Sequence, residues 1–331
     1  MRDILTKLKK TLGEGVLENE PFSKHTSFHV GGPAKYFYEA KSIEELISAV
    51  KTANKLKLPI FILGNGSNIL VSDKGFDGLC IKNSSSSLSF VKEKSIVLVD
   101  AGVPLSRLIA EAASQDMGGL EFLYGIPGSV GGALISNAGT FGGAIGDFVI
   151  STTILDENKE VKQVNKSWFN FSYRKSKLSH QHPHPMILTI SFQLMTNRKE
   201  EILRKMQHFL AIRSKKQPKE WSAGSFFKNP KVDKTWAKEY LKMSGEENPE
   251  MLEAIEKTGH IPAGWLLDQV GAKKMKFKGA RVSKIHANFI VNPKGRAKAD
   301  EVLHLANQLK DKVKDKFGII LDEEVEYVGE I

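Results

Sequence analysis

Cysteine is almost missing from this chain: Cys80 is the single one in 331 residues. An internal disulfide is excluded, and so is a metal site built from thiolates. No apolar run approaches the roughly 20 residues that cross a bilayer; the longest, 186–190 and 318–321, are the size of strands. The early lysines are followed by neither an apolar core nor a small-residue cleavage site, so no signal peptide is expected. These absences together predict a cytoplasmic protein with no membrane partner. Two nucleotide signatures are absent as well. There is no Gly-Lys-Ser/Thr, which disfavours a P-loop ATPase. Gly64 and Gly66 begin a G-x-G-x-x-G pattern, but Ile69 stands where the third glycine belongs, which disfavours a standard Rossmann site. The nine histidines form no helical H-x-x-x-H with a carboxylate, so no metal site is expected; His180, His182 and His184 alternate in what reads as a loop.

What is present is the balance of a folded globular protein, 41% hydrophobic and 26% charged, long enough for two or three domains. The net charge is +10, from 48 basic and 38 acidic residues. Its distribution matters more than its sum. Lys273, Lys274, Lys276, Lys278, Arg281 and Lys284 form one cluster without an intervening acid, and Arg213, Lys215, Lys216 and Lys219 form another. Each is a solvated basic surface or a holder of a diphosphate. Nucleic acid is the weakest of the three readings, because no aromatic stacking motif accompanies the charge.

Periodicity outlines a mixed α/β chain. Ile4, Leu5, Leu8 and Leu12 predict a short amphipathic helix. Ser42, with Glu45 three residues on, marks a capping box ahead of the stripe Leu46, Val50 and Ala53. Strands are expected at 59–63 and 96–101, a helix at 104–113 opened by proline, and a hairpin of 149–155 with 160–164. A strand at 186–194 ends the first half, with a boundary near residue 196. Helices are then predicted at 198–213, 249–257, 262–270 and 300–317, with strands at 288–292 and 319–328.

Glycine clusters where strands end. Gly64-Asn65-Gly66-Ser67-Asn68 follows the strand at 59–63, and Gly125-Ile126-Pro127-Gly128-Ser129-Val130-Gly131-Gly132 precedes Asn137-Ala138-Gly139. Lacking Cβ, glycine lets backbone N–H groups turn toward an anion, and the second loop reads as the entrance to a helix N-terminus. One such loop alone is more simply a tight turn. Two, each flanked by polar donors, favour a dinucleotide diphosphate.

These residues also carry a resemblance. HTSFHVGGPA, LGNGSNIL, GLEFLYGIPGSVGGA with NAG after it, FSYRKS, AGSFFKNP, PAGWLLDQVGA, VSKIHANFIVN and the final EEV resemble, in order, the UDP-N-acetylenolpyruvoylglucosamine reductase (MurB) family from about residue 20 onward. The resemblance implies a mixed α/β (α+β) fold: a lead-in at 1–29, a two-lobed PCMH-type FAD-binding domain at 30–196 (lobes about 30–83 and 84–196), and an α/β substrate-binding domain at 197–331. It implies noncovalent FAD on the two glycine loops, NADPH as reductant and UDP-N-acetylglucosamine enolpyruvate as substrate; a monomer is expected. Arg174 and Ser225 are 51 positions apart (225 − 174), too close for the tyrosine-bearing insertion of one form of the family, so the chain resembles the second type. It departs from the family pattern at Lys274 and Lys278, where glycines are common, and at Ser129, where threonine is frequent.

Reducing an enol ether conjugated to a carboxylate requires a hydride at the terminal CH₂, stabilisation of the developing negative charge, and a proton at C2. By the resemblance, Arg174 takes the carboxylate, Ser225 delivers the proton and Glu324 assists the charge. Read without it, each is a surface arginine, a turn serine and a strand-end acid. Glu323 adjoins Glu324, and strand neighbours face opposite sides, so one of the two points inward. Lys216, Arg213, Lys228, Asn229, His286 and Asn288 are the expected substrate contacts. Two rivals stand beside this reading. One is an oxidase of the same flavin fold, tethered through His25 or His29; the other is a basic UDP-sugar or nucleic-acid binder without catalysis.

Overall fold

The computed structural model describes residues 2–179, 185–233, 235, 253, 255–256 and 258–330. The histidine tract at 180–184 and most of the helix expected at 249–257 lie outside the described residues.

The N-terminal helix Arg2–Leu12 buries Leu8 completely, with Ile4, Leu5 and Leu12 beside it. Helix Ile43–Lys55 starts at Ser42, whose side chain accepts from the Glu45 N–H at 3.2 Å. Glu45 reaches back to the N–H of Lys41 rather than to that of Ser42, so the box closes one residue early. Both helices pack on one face of a four-stranded sheet ordered Leu17–Pro21, Pro33–Ala40, Phe76–Asn83, Ile60–Leu63. The last three strands are mutually parallel, and the first is antiparallel to its neighbour. On the other face lie Phe22, Phe37, Phe61, Val71 and Val328.

The second sheet has five strands, all antiparallel: Val161–Asn165, Val149–Leu155, Met186–Gln193, Ile96–Asp100 and Leu88–Val91. The expected hairpin is its first pair. Helices Leu105–Ser114 and Val130–Ile135 cover it. Helix Lys199–Lys216 joins the same core through Ile202 and Met206. A third core gathers helices Ala263–Gln269 and Ala299–Phe317 around the small sheet Lys276–Phe277, Ala280–Val282, Ile290–Val291. The turn of its hairpin places Lys278 at φ 47°, a left-handed conformation that glycine adopts more easily. The lysine that departs from the family pattern therefore keeps the turn.

The strand expected over 319–328 is shorter, Glu326–Val328. Residues 319–325 run irregularly except for a single bridge between Glu323 and Phe227. The short strand pairs in parallel with Ile69–Val71, and Phe28, Val30 and Leu70 enter the third core. Asp73 completes this joint. Its two carboxylate oxygens accept from the N–H groups of Ala299 (3.0 Å) and Asp300 (3.2 Å), capping a helix more than 200 residues away in sequence. Asp73→Ala should cost about 1–2 kcal/mol of stability, read as a lower urea midpoint with unchanged slope. A midpoint equal to that of the parent would show the cap to be energetically idle.

Candidate active site

One cleft of about 490 Å³ is walled by all three cores. Gly64–Asn68 follows the first sheet, Ile126–Ser129, Gly131 and Gly132 with Ala138 come from the second, and the segment from Gln217 to Ser225 with Glu324 from the third. The two glycine loops touch at its base. Ser67 Oγ donates to the Pro127 carbonyl at 2.9 Å, and a Cβ on Gly64 would lie 2.5 Å from Ser129 Oγ. At Gly66 two constraints coincide: φ is 61°, and a Cβ would meet the His25 carbonyl at 2.2 Å. The tight turn therefore requires glycine there.

The helix entrance binds anions less directly than the sequence suggested. The N–H groups of Val130, Gly131 and Gly132 are already bonded, to Val103 O, Ala101 O and Ser129 Oγ. Among the described residues, no hydrogen bond uses the N–H of Asn65, Gly66, Ser67, Gly128 or Ser129. The donors free for a ligand thus sit just before the helix, one set on each loop. Gly125, Asn137 and Gly139 do not line the cleft. Asn137 instead donates to Ser172 O (2.9 Å) and accepts from the Gly146 N–H (3.1 Å), fixing the segment that carries Arg174.

That segment is a tight turn closed by reciprocal bonds between Ser172 and Lys175. Arg174 sits at its tip with φ 51°. Ser176 and Ser179 anchor the following residues by donating to the Ile135 carbonyl at 2.6 and 2.9 Å. The guanidinium Nε of Arg174 lies 3.2 Å from Glu324 Oε1, yet it is not aligned to donate to it and has no hydrogen-bond partner. The two charges attract without spending that donor. Burial pushes the Glu324 carboxyl above the usual range, against the opposing pull of Arg174 and then Lys228. Glu323 points elsewhere, accepting from Lys310 Nζ at 2.8 Å, so Glu324 is the member of the pair that faces the cleft. Ser225 lines the same cleft.

The expected substrate contacts divide. Arg213 lines the cleft, but its Nε and Nη2 are bonded to the carbonyls of Tyr124 (3.1 Å) and Phe122 (2.8 Å). Burial, and then the nearby Arg174, lower its pKa. Lys216, Lys228, Asn229, His286 and Asn288 stand outside the cleft wall. Lys216 is exposed and near enough to His286 to act on it: burial first, then Lys273, with Lys216 adding, hold that imidazole below its usual pKa, while Asp268 opposes. Asn229 Oδ1 accepts from the Ala263 N–H at 3.0 Å. The Asn288 amide is bonded on both sides to the Phe227 backbone. Lys219 and Trp221, which carry no motif of their own, do line the cleft; Trp221 stacks on His29 with centroids 4.1 Å apart. Only the chain path after helix Lys199–Lys216 places them there. The two candidate tether histidines are engaged elsewhere, His29 on Trp221 and His25 on Phe37 (4.3 Å) and Glu20 (3.0 Å).

A cleft with free N–H groups on two glycine loops and an arginine–glutamate pair opposite them is the geometry to set beside known proteins. The family model for the C-terminal domain of UDP-N-acetylenolpyruvoylglucosamine reductase matches residues 217–328. A model described as an FAD binding domain matches residues 34–165. Curated UDP-N-acetylenolpyruvoylglucosamine reductases of Lachnoclostridium phytofermentans and Caldanaerobacter subterraneus subsp. tengcongensis are 36% and 37% identical, over 99% and 100% of this chain and 97% and 100% of their own. The chain belongs to the UDP-N-acetylenolpyruvoylglucosamine reductase family. The crystal structure of the Thermus caldophilus reductase (MurB) agrees, with a TM-score of 0.72 at 31% identity over 95% of this chain and 98% of that one. The residues present fit the FAD that this family's nucleotide-binding domain takes: the loop glycines let the two loops approach each other at the base of the cleft, and the unbonded N–H groups there suit a diphosphate. Among the described residues no helix is long and apolar enough to cross a membrane.

The raised Glu324 pKa fixes the sign of a pH effect. A carboxyl whose folded pKa lies above its unfolded value adds stability that is complete below the unfolded value and is lost as pH rises through the folded one. Glu324→Gln removes this loss. Its stability relative to the parent should therefore improve as pH climbs from the ordinary carboxylate range through the raised value, and then level off. Denaturant titrations at stepped pH check this; a constant difference between the two proteins would mean that Glu324 titrates normally.

Proposed function

We propose that this chain is an NADPH-dependent flavoenzyme that reduces UDP-N-acetylglucosamine enolpyruvate to UDP-N-acetylmuramate, a precursor of peptidoglycan, in the cytoplasm. The observation that carries this reading is the meeting of Arg174, Ser225 and Glu324 on the cleft whose base is formed by the two glycine loops. When bound, FAD supplies the hydride for the enolpyruvyl CH₂, having been reduced by NADPH.

The rest is done by side chains of this chain. Arg174 receives the substrate carboxylate, and its Nε lacks an aligned acceptor. Because its turn is already anchored, little reorganisation accompanies the growth of negative charge. Glu324, 3.2 Å from Arg174 Nε, assists the stabilisation of that charge from the same wall of the cleft. Ser225 places a proton on C2 from the opposite arm of the cleft. A serine hydroxyl is a very weak acid, so the proton must be replaced by relay. Lys228, three residues on and within electrostatic reach of Glu324, is the group we assign to that relay. Arg213, which lines the cleft, is the basic group we assign to the substrate diphosphate; Lys216, Asn229 and His286, outside the cleft wall, are assigned no contact with it.

We also divide the chain into an FAD-binding domain at 30–196 and a substrate domain at 197–331. The separate second and third cores support this division. Helix Lys199–Lys216, packed on the second core, carries the chain from one to the other.

The test is spectral. The purified protein should be yellow, bleach with NADPH, and regain its colour with the enolpyruvyl sugar. Ser225→Ala should bleach normally but recover at least about 100-fold more slowly. A folded protein that takes up no flavin would sink the reading, and normal recovery in the variant would remove Ser225 as proton donor.

A further inference from the structure

The segment bearing Ser225 lies between two partners, and one of them is a side chain. On one edge, the Phe226 carbonyl accepts from the Glu324 N–H at 2.8 Å, Phe227 bridges Glu323, and the Lys228 N–H donates to Asp322 O at 2.9 Å. On the other edge stands Asn288, 61 residues away in sequence. Its carbonyl accepts from the Phe226 N–H at 2.8 Å. Its side-chain Oδ1 accepts from the Phe227 N–H at 3.0 Å, and its Nδ2 donates to the Phe227 carbonyl at 2.8 Å. The amide thus copies a peptide group and pairs with Phe227 as a neighbouring strand would. Asn288 is buried and outside the cleft wall. With Oδ1 and Nδ2 committed to Phe227, it is placed to organise the site rather than to touch a ligand.

We propose that Asn288 is the positioning residue that sets the register of Ser225 against Glu324. The proposal rests on the reductase reading given above. Phe226, immediately after Ser225, is bonded on one side to Asn288 and on the other to Glu324, so a single two-residue element relays the position of Asn288 to both groups. No other residue type of similar size supplies an acceptor and a donor in this arrangement. Aspartate would set a carboxylate oxygen against the Phe227 carbonyl, and leucine would leave the buried N–H and C=O of Phe227 unpaired. The groups that act on the proton and on the carboxylate charge would then lose their mutual placement, while the glycine loops that bind the cofactor would not.

The test compares Asn288→Ala and Asn288→Asp with Asn292→Ala, all as flavin-loaded protein. Asn292 is also buried; its backbone N–H donates to the Trp221 carbonyl at 2.8 Å, but its amide is bonded to Phe28 O (3.1 Å) and the Ala297 N–H (3.1 Å) and not to Phe226 or Phe227. It reports the effect of a lost buried amide as such. In the Asn288 variants bleaching by NADPH should hold within about twofold of the parent, whereas reoxidation by the enolpyruvyl sugar should fall by about 10- to 100-fold, the scale set by a small misplacement of reacting groups. The loss should appear in kcat more than in KM. Independently of turnover, amide hydrogen exchange should rise at Phe226, at Phe227 and at Glu324 beyond them, where Asn292→Ala leaves these three protected. Parent-like reoxidation in both Asn288 variants, or unchanged protection at Glu324, would overturn the positioning role. Parent protein that is never reoxidised by the enolpyruvyl sugar would overturn the reductase reading and this inference with it.

Discussion

Three residue pairs hold the structure to its purpose: Glu326 against Ile69, Tyr327 against Leu70 and Val328 against Val71, a parallel two-stranded sheet that packs the end of the described chain against the Phe22, Phe37 and Phe61 face of the first sheet. Everything in the cleft is measured from it. One residue before Ile69, Asn68 closes the first glycine loop, and its Nδ2 donates to the Glu324 carbonyl at 2.9 Å. Its own carbonyl accepts from the Glu326 N–H at 3.0 Å. The loop with free N–H groups and the buried carboxylate are therefore fixed to each other through backbone and one amide, without a flexible link. Asp73, four residues after Ile69, extends the same joint into the N-terminus of helix Ala299–Phe317.

Against this rigid side, the second sheet brings Arg174. Among the contacts that join it to the other two parts are the Ser67–Pro127 hydrogen bond at the base, the Arg174–Glu324 ion pair and the Tyr173–His260 ring contact at 4.4 Å, and Leu155, Met186 and Leu188 pack into the core of the first sheet. The basic excess of the chain is not concentrated in this space. Of the cluster at 273–284, Lys273 pairs with Asp268 at 2.6 Å and Arg281 with Glu220 at 3.0 Å. Surface pairing of this kind contributes little energy; inside the cleft the charges are Arg174, Arg213 and Lys219 against Glu220, Glu324 and Glu326.

The sequence made some of this legible and hid the rest for physical reasons. Helices announced themselves through local chemistry: Ser42 with Glu45, and the stripe that Leu46, Val50 and Ala53 bury. The antiparallel hairpin of the second sheet did likewise through its turn at Asp156. Strands Pro33–Ala40 and Phe76–Asn83 gave no such signal. They are covered on both faces, so their side chains do not alternate, and Pro33 and Gly78 interrupt them. The apolar run Ile319-Ile320-Leu321 looked like a strand because hydrophobicity was read without partners; Ile320 is exposed and Leu321 is buried in the third core. In the site, Arg174, Ser225 and Glu324 were singled out by the family resemblance and not by their own chemistry, and the fold brings all three to one cleft. Asn137, Asn229 and Asn288 are different. An amide commits to whatever backbone it meets, and that backbone is 35, 34 or 61 residues distant.

The pairing of Glu326–Val328 with Ile69–Val71 also sets a timetable. Asn68 and its partner Glu324 are 256 residues apart, and a ribosome working at about 5–20 residues per second needs on the order of 10–50 s to traverse that interval. Throughout it, Ile69–Val71 lacks the strand it pairs with among the described residues, and its unpaired backbone is then most open to a wrong partner.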